Sequence, residues 1–189
     1  MKKKKPGFTL IEMIIALAFT VTILGIASSM FITGNKVFSD SDIKSTLQIE
    51  GQAIQEKISD IGMQATGIND VTVDTNQSNN QTNQMNSIQI TSYDANGSLQ
   101  NFIIEKKNSG KVYKDGSPIY EIWINDTLIS SDIQSVTLDD DIITAANSKT
   151  KTSLLGNINS VEFNILLRKE SGYSSVEQSV DFSVTFRNK

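Results

Sequence analysis

Residues 2–32 read KKKKPGFTLIEMIIALAFTVTILGIASSMFI, and this stretch decides the architecture of the chain. Four lysines, Lys2, Lys3, Lys4 and Lys5, lead into Pro6-Gly7 and then Phe8. An apolar run follows, broken once by Glu12. From Met13 to Asn35 there are 23 consecutive residues without a charge. A helix of that length covers about 35 Å, enough for a hydrocarbon core of about 30 Å. A carboxylate costs about 3 kcal/mol near the bilayer centre and less near its edge, so Glu12 calls for a partner. The lysines predict a cytoplasmic N-terminus, with the chain beyond the apolar run exported.

Past this run the pattern changes. Leu47, Ile54, Ile58, Ile61, Ala65 and Ile68 recur at steps of three, four and seven. Gln48, Glu50, Gln52, Gln55, Glu56, Lys57 and Asp60 fall between them and suit a solvated face. No proline interrupts Phe8 to Ile68, which predicts one helix of about 60 residues and about 90 Å. Gly25, Gly34, Gly51 and Gly62 mark points where it bends or frays. The chain thus divides into a basic leader (1–7), a transmembrane or assembly helix (8–34) and an extracytoplasmic domain (35–189). Within that domain we expect an amphipathic helix over 35–68, a polar loop over 69–87 and antiparallel strands over 88–189.

The strand signals are local. Ile88 and Ile90 alternate with polar residues, and Asn96-Gly97 predicts a type I′ hairpin turn. Leu99–Lys106 is the return strand, and Asn108-Ser109-Gly110 and Asp115-Gly116-Ser117-Pro118 are turns. Ile119–Asn125 and Asp132–Leu138 are further strands, and 139–156 fits neither period. Val161, Phe163, Ile165 and Leu167 alternate, the chain turns at Glu170-Ser171-Gly172, and Val180, Phe182, Val184 and Phe186 alternate on the return. The fold class is α+β, a long helix whose second half covers an antiparallel sheet.

Composition narrows the function. The chain has no cysteine and no histidine, so thiol chemistry and the commonest acid–base and metal-binding side chain are missing. No catalytic constellation stands out, and we expect neither an enzyme nor a cofactor. The net charge is −4; setting aside the four leader lysines leaves 13 basic residues against 21 acidic ones, a balance of −8. An acidic exported domain argues against a nucleic-acid partner. Asp139-Asp140-Asp141 lacks the spaced ligands and central glycine of a calcium loop, so we expect a solvated acidic loop and no metal.

Three features coincide at the N-terminus. Gly7 lets a protease approach the backbone closely. Cutting between Gly7 and Phe8 removes the lysines and keeps the apolar helix, the reverse of secretory signal cleavage. It also frees an α-amine on Phe8, four residues before Glu12. GFTLIE, Gly7 to Glu12, with the preceding lysines and the following IIALAFTVTILGIA, resembles the prepilin processing motif of type IV pilins and type II secretion pseudopilins.

The resemblance covers about the first 35 residues and carries several implications. A membrane prepilin peptidase cuts after Gly7 and methylates the amine of Phe8. Glu12 neutralises the Phe8 amine of a neighbouring subunit during filament assembly. An inner-membrane assembly platform and its cytoplasmic ATPase extract subunits from the lipid bilayer into a surface or periplasmic filament. Two departures set the chain apart from many major pilins: Ser29 stands where they carry proline, and no cysteine is available for a C-terminal disulfide loop. A minor pilin or a J-type pseudopilin fits better. The competing expectation is a single-pass, membrane-anchored adhesin or binding module that never polymerises.

Overall fold

Helix α1 runs from Leu10 to Met63 in the computed structural model, which describes residues 7–74, 84–148 and 150–187. Its 54 residues span about 80 Å. No described residue before Ile43 is buried. From there Ile43, Leu47, Gly51, Ile54, Ile58 and Gly62 form one buried face at steps of three and four. Front and back of the helix therefore obey different rules, as their composition predicts.

Among the described residues seven strands follow: β1 (Ala65–Val73), β2 (Met85–Tyr93), β3 (Leu99–Val112), β4 (Pro118–Ile124), β5 (Thr127–Leu138), β6 (Ser160–Ser171) and β7 (Ser174–Thr185). They lie side by side in chain order, each antiparallel to the next. The sheet curls, and an isolated bridge between Gln84 and Thr137 links the approach to β2 with β5. Between β5 and β6 the chain forms two short helices, α2 (Asp140–Ala146) and α3 (Lys151–Leu155), which pack over β1. These occupy the stretch that fits neither period in the sequence. The core fills the space between α1 and the concave face. Val161, Phe163, Ile165 and Leu167 of β6 are all buried there, and Phe163 stacks on Phe182 of β7 with ring centroids 5.3 Å apart.

The helix ends five residues earlier than its periodicity predicts. Ala65 and Ile68 belong to β1, and strand structure also covers Asn69–Val73 and Met85–Ser87, where the sequence predicts loop. Residues 75–83 of that expected loop lie outside the described residues. The cause is physical. The register of β1 against β2 shifts three times, between Ala65 and Gly67, Ile68 and Asp70, and Thr72 and Val73. Each irregularity disturbs the two-residue alternation. Buried positions then fall at Ala65, Ile68 and Val71, a three-residue step that continues the helical stripe in the sequence.

Two turns also differ. Gly97 has φ of 75° while Asn96 is not left-handed, so this is not a type I′ turn. Gly97 N–H donates to Asp94 O (2.9 Å), and the Asp94 carboxylate accepts from the amides of Asn96 (2.9 Å) and Ser98 (2.8 Å). Those bonds favour a type I turn with a left-handed glycine after it. Asn108-Ser109-Gly110 is no turn but an irregular stretch within β3, which continues to Val112.

The main partner of α1 is β7, the last strand. Two glycines make the approach possible. A Cβ on Gly51 would sit 2.5 Å from Val180 Cγ2, and one on Gly62 would sit 1.9 Å from Val184 Cγ1. Sequence reading treats these glycines as weak points of the helix; in the structure they are its contact points. Their order, Gly51 by Val180 and Gly62 by Val184, shows that β7 runs in the same direction as α1.

Candidate functional site

Gly7, Phe8 and Thr9 precede the helix, and the backbone at Thr9 is extended. Gly7 is exposed with nothing within 4 Å of a built Cβ, and Phe8 is 86% exposed. The bond between them therefore lies in an open segment just outside the first helical turn. The leader lysines, Lys2 to Lys5, lie outside the described residues.

Thr9 is the N-cap of α1, and Glu12 is its third residue. The Thr9 amide donates to Glu12 Oε2 (2.8 Å), the Thr9 hydroxyl donates to the same oxygen (2.9 Å), and the Glu12 amide donates to Thr9 Oγ1 (3.3 Å). This is a capping box, which satisfies otherwise orphaned donors at a helix start. A carboxylate here also complements the positive end of the helix dipole. The signal for it, Thr9-x-x-Glu12 ahead of an apolar run, is present in the sequence. The box solvates the carboxylate with neutral donors and does not neutralise it. Both bonds end on Oε2, and no bond to Oε1 is present among the described residues.

Beyond the box the helix is apolar on all sides and open. Phe19, Ile23, Leu24, Ile26, Phe31 and Ile32 are each more than half exposed. The hydroxyls of Thr20 and Thr22 donate to the carbonyls of Ala16 (2.8 Å) and Ala18 (2.9 Å), so the helix meets its own polar needs. That property suits a hydrocarbon surrounding. Among the described residues α1 is the one helix long and apolar enough to cross a membrane, by length and composition.

Elsewhere the polar groups build structure. Arg168 stacks on the Tyr113 ring, 4.5 Å from guanidinium carbon to centroid, and pairs with Asp115 and Glu170, each at 2.7 Å. The Tyr113 hydroxyl donates to Arg168 O (2.9 Å). Bonds from the Ser117 hydroxyl and amide, and then from Arg168, hold the Asp115 carboxyl well below the usual carboxylate range. Burial, followed by the nearby Asp132 carboxylate, pushes the Tyr113 hydroxyl well above an ordinary phenol. Nothing in local sequence marks this cluster, because its members are 53 or more residues apart along the chain for the Arg168–Asp115 and Arg168–Tyr113 contacts.

Asp139 stands at the N-cap position of α2 without a side-chain capping bond, and Asp140 and Asp141 lie in its first turn, so the acidic run starts a helix instead of forming the expected loop. Among the described residues no group of three or more acidic side chains is placed to hold a metal. No family model, curated protein or solved structure matches this chain.

Proposed function

We propose that the chain is a structural subunit of an envelope filament, a minor pilin or pseudopilin. Prepilin peptidase cuts after Gly7, the new Phe8 amine is methylated, and Glu12 pairs with the amine of a neighbouring subunit. Other pilin-like subunits, the assembly platform and its ATPase are the partners. Before assembly the subunit sits in the cytoplasmic membrane with its N-terminus inside. One observation carries this reading: a single carboxylate opens the otherwise uncharged, exposed front of α1, residues 10–33, four residues past Phe8 and its open bond to Gly7. A helix with no cover of its own needs lipid or other helices around it.

The capping box favours a second reading, a membrane-anchored binding module that stays monomeric, because it gives Glu12 a local use. One pair of variants separates the two. Glutamine at position 12 preserves a capping box but removes the charge. Under the filament reading, Glu12→Gln enters the membrane normally and fails to join filaments, as does Glu12→Val. Filament incorporation of Glu12→Gln at the wild-type level rejects charge pairing. Intact mass of protein recovered from the native membrane tests processing: loss of Met1–Gly7 with one added methyl is expected. A chain that retains its leader, or that starts near Ser29, rejects it.

A further inference from the structure

β6 and β7 are joined by a two-residue turn, Gly172-Tyr173, with Gly172 at φ 58°. Glycine in the first central position suits the tight hairpin. The next residue, Tyr173, is fully exposed. An isolated aromatic at a hairpin tip buries nothing within the chain, so folding gives no reason for it.

The position of the tip supplies one. Because β7 runs with α1, its start lies toward the apolar front of the helix. Gly172, Tyr173 and Ser174 line a cleft with Phe31, Ile32 and Lys36 of α1. Those helix residues flank the point where the uncharged stretch ends and Lys36 brings the first charge. If Glu12 marks one edge of a hydrocarbon core about 30 Å thick, the helix emerges about 20 residues later, at Ile32. The tip is therefore level with the exit of the helix from the bilayer.

The tip is also braced, and two exposed ammonium groups lie beside it. Lys114 Nζ donates to Gly172 O, and the Lys114 amide donates to Glu170 Oε2 (3.0 Å). Arg168 ties Asp115 to Glu170 across the same pole and lies 3.8 Å from Glu177, one cation shared among three acids that engages them away from the lysines. Lys36 and Lys114 are exposed.

We propose that the β6–β7 tip is a membrane-surface anchor, with Tyr173 seated among phospholipid headgroups and Lys36 and Lys114 facing their phosphates. Tyrosine suits that layer because its ring is apolar and its hydroxyl is wet, and lysine suits an anionic surface. The anchor fixes the tilt of the exported domain on its helix before assembly. This rests on α1 crossing the membrane.

The test uses the full chain in phosphatidylcholine–phosphatidylglycerol vesicles carrying nitroxide lipids, labelled either at the headgroup or deep in the chain. Three variants are made on Trp123→Phe: Tyr173→Trp, Phe19→Trp inside the apolar run, and Leu99→Trp at the opposite pole. Tyr173→Trp is expected to emit at shorter wavelength than Leu99→Trp. Its quenching by headgroup nitroxide is expected to be at least about twofold stronger. Phe19→Trp is expected to respond to the deep label. If Tyr173→Trp behaves like Leu99→Trp while Phe19→Trp is quenched, the helix crosses the bilayer and the anchor is overturned. If Phe19→Trp also escapes, membrane crossing itself fails and the anchor falls with it. A blue shift at Tyr173→Trp without lipid quenching assigns the tip to another protein molecule and likewise overturns the lipid contact.

Discussion

Gly62 carries the tightest constraint at the scale of single residues. In an exposed helix, replacing glycine with alanine stabilises by about 1 kcal/mol. Here the added methyl would lie 1.9 Å from a valine methyl on β7, and valine is stiff about χ1. Overpacking of this kind costs about 1–3 kcal/mol. Gly62→Ala is expected to lower the urea midpoint of the detergent-solubilised chain. Gly51→Ala should do so less, and Gly25→Ala, with nothing within 4 Å, should not lower it. Tyr113 gives a pH dependence with a definite sign. Its folded-state pKa is raised, so its contribution is complete below an ordinary phenol pKa of about 10 and is lost as pH rises beyond that. Tyr113→Phe is expected to flatten the fall in urea midpoint above pH about 10. The Phe variant also loses the bond to Arg168 O, so it should start from a lower midpoint at neutral pH.

At the scale of elements, α1 is two helices in one. Its front has no buried residue, and its back carries the face from Ile43 to Gly62. A chain starting at Ser39 is expected to be water-soluble and to keep the urea midpoint of the full chain within about 0.5 kcal/mol of stability, the usual range for surface changes. A larger loss would show that the front contributes to the domain. This division was legible in the sequence, because the step from all-round apolar to one-sided apolar composition is what burial against a single face requires. The junction with β1 was not. Ala65, Ile68 and Val71 keep a helix-like spacing only because β1 is irregular against β2, and pairing irregularities leave no local mark. The β6–β7 hairpin was legible for the opposite reason: its register runs unbroken from Ser160–Thr185 to Ser171–Ser174, so strict alternation survives. At the N-terminus the sequence identified Glu12 as unusual. Its capping role required setting the nearby Thr9 signal beside the charge penalty.

At the scale of the whole molecule, connection order matters most. Every strand pairs with its neighbour in sequence, yet the helix that opens the chain lies on the strand that closes it. Ending the chain after Ser171 deletes β7, the pairing partner of β6 and the surface under Gly51 and Gly62. Such a chain is expected to lose protease resistance throughout the domain, with digestion monitored by mass. Survival of a resistant core from β1 to β5 would show that the meander holds without its helix.

The contact between α1 and β7 also sets a timetable. A polypeptide made and exported from its N-terminus delivers α1 first and β7 last. Under the proposed export, the helix face from Ile43 to Gly62 lacks its main cover, β7, until the last strand has crossed. Docking of β7 would then report that the strands before it have all been translocated. On that reading, a protease or chaperone at the outer face of the membrane meets an incompletely covered helix face on every chain that lacks β7, and a closed one only where β7 is in place.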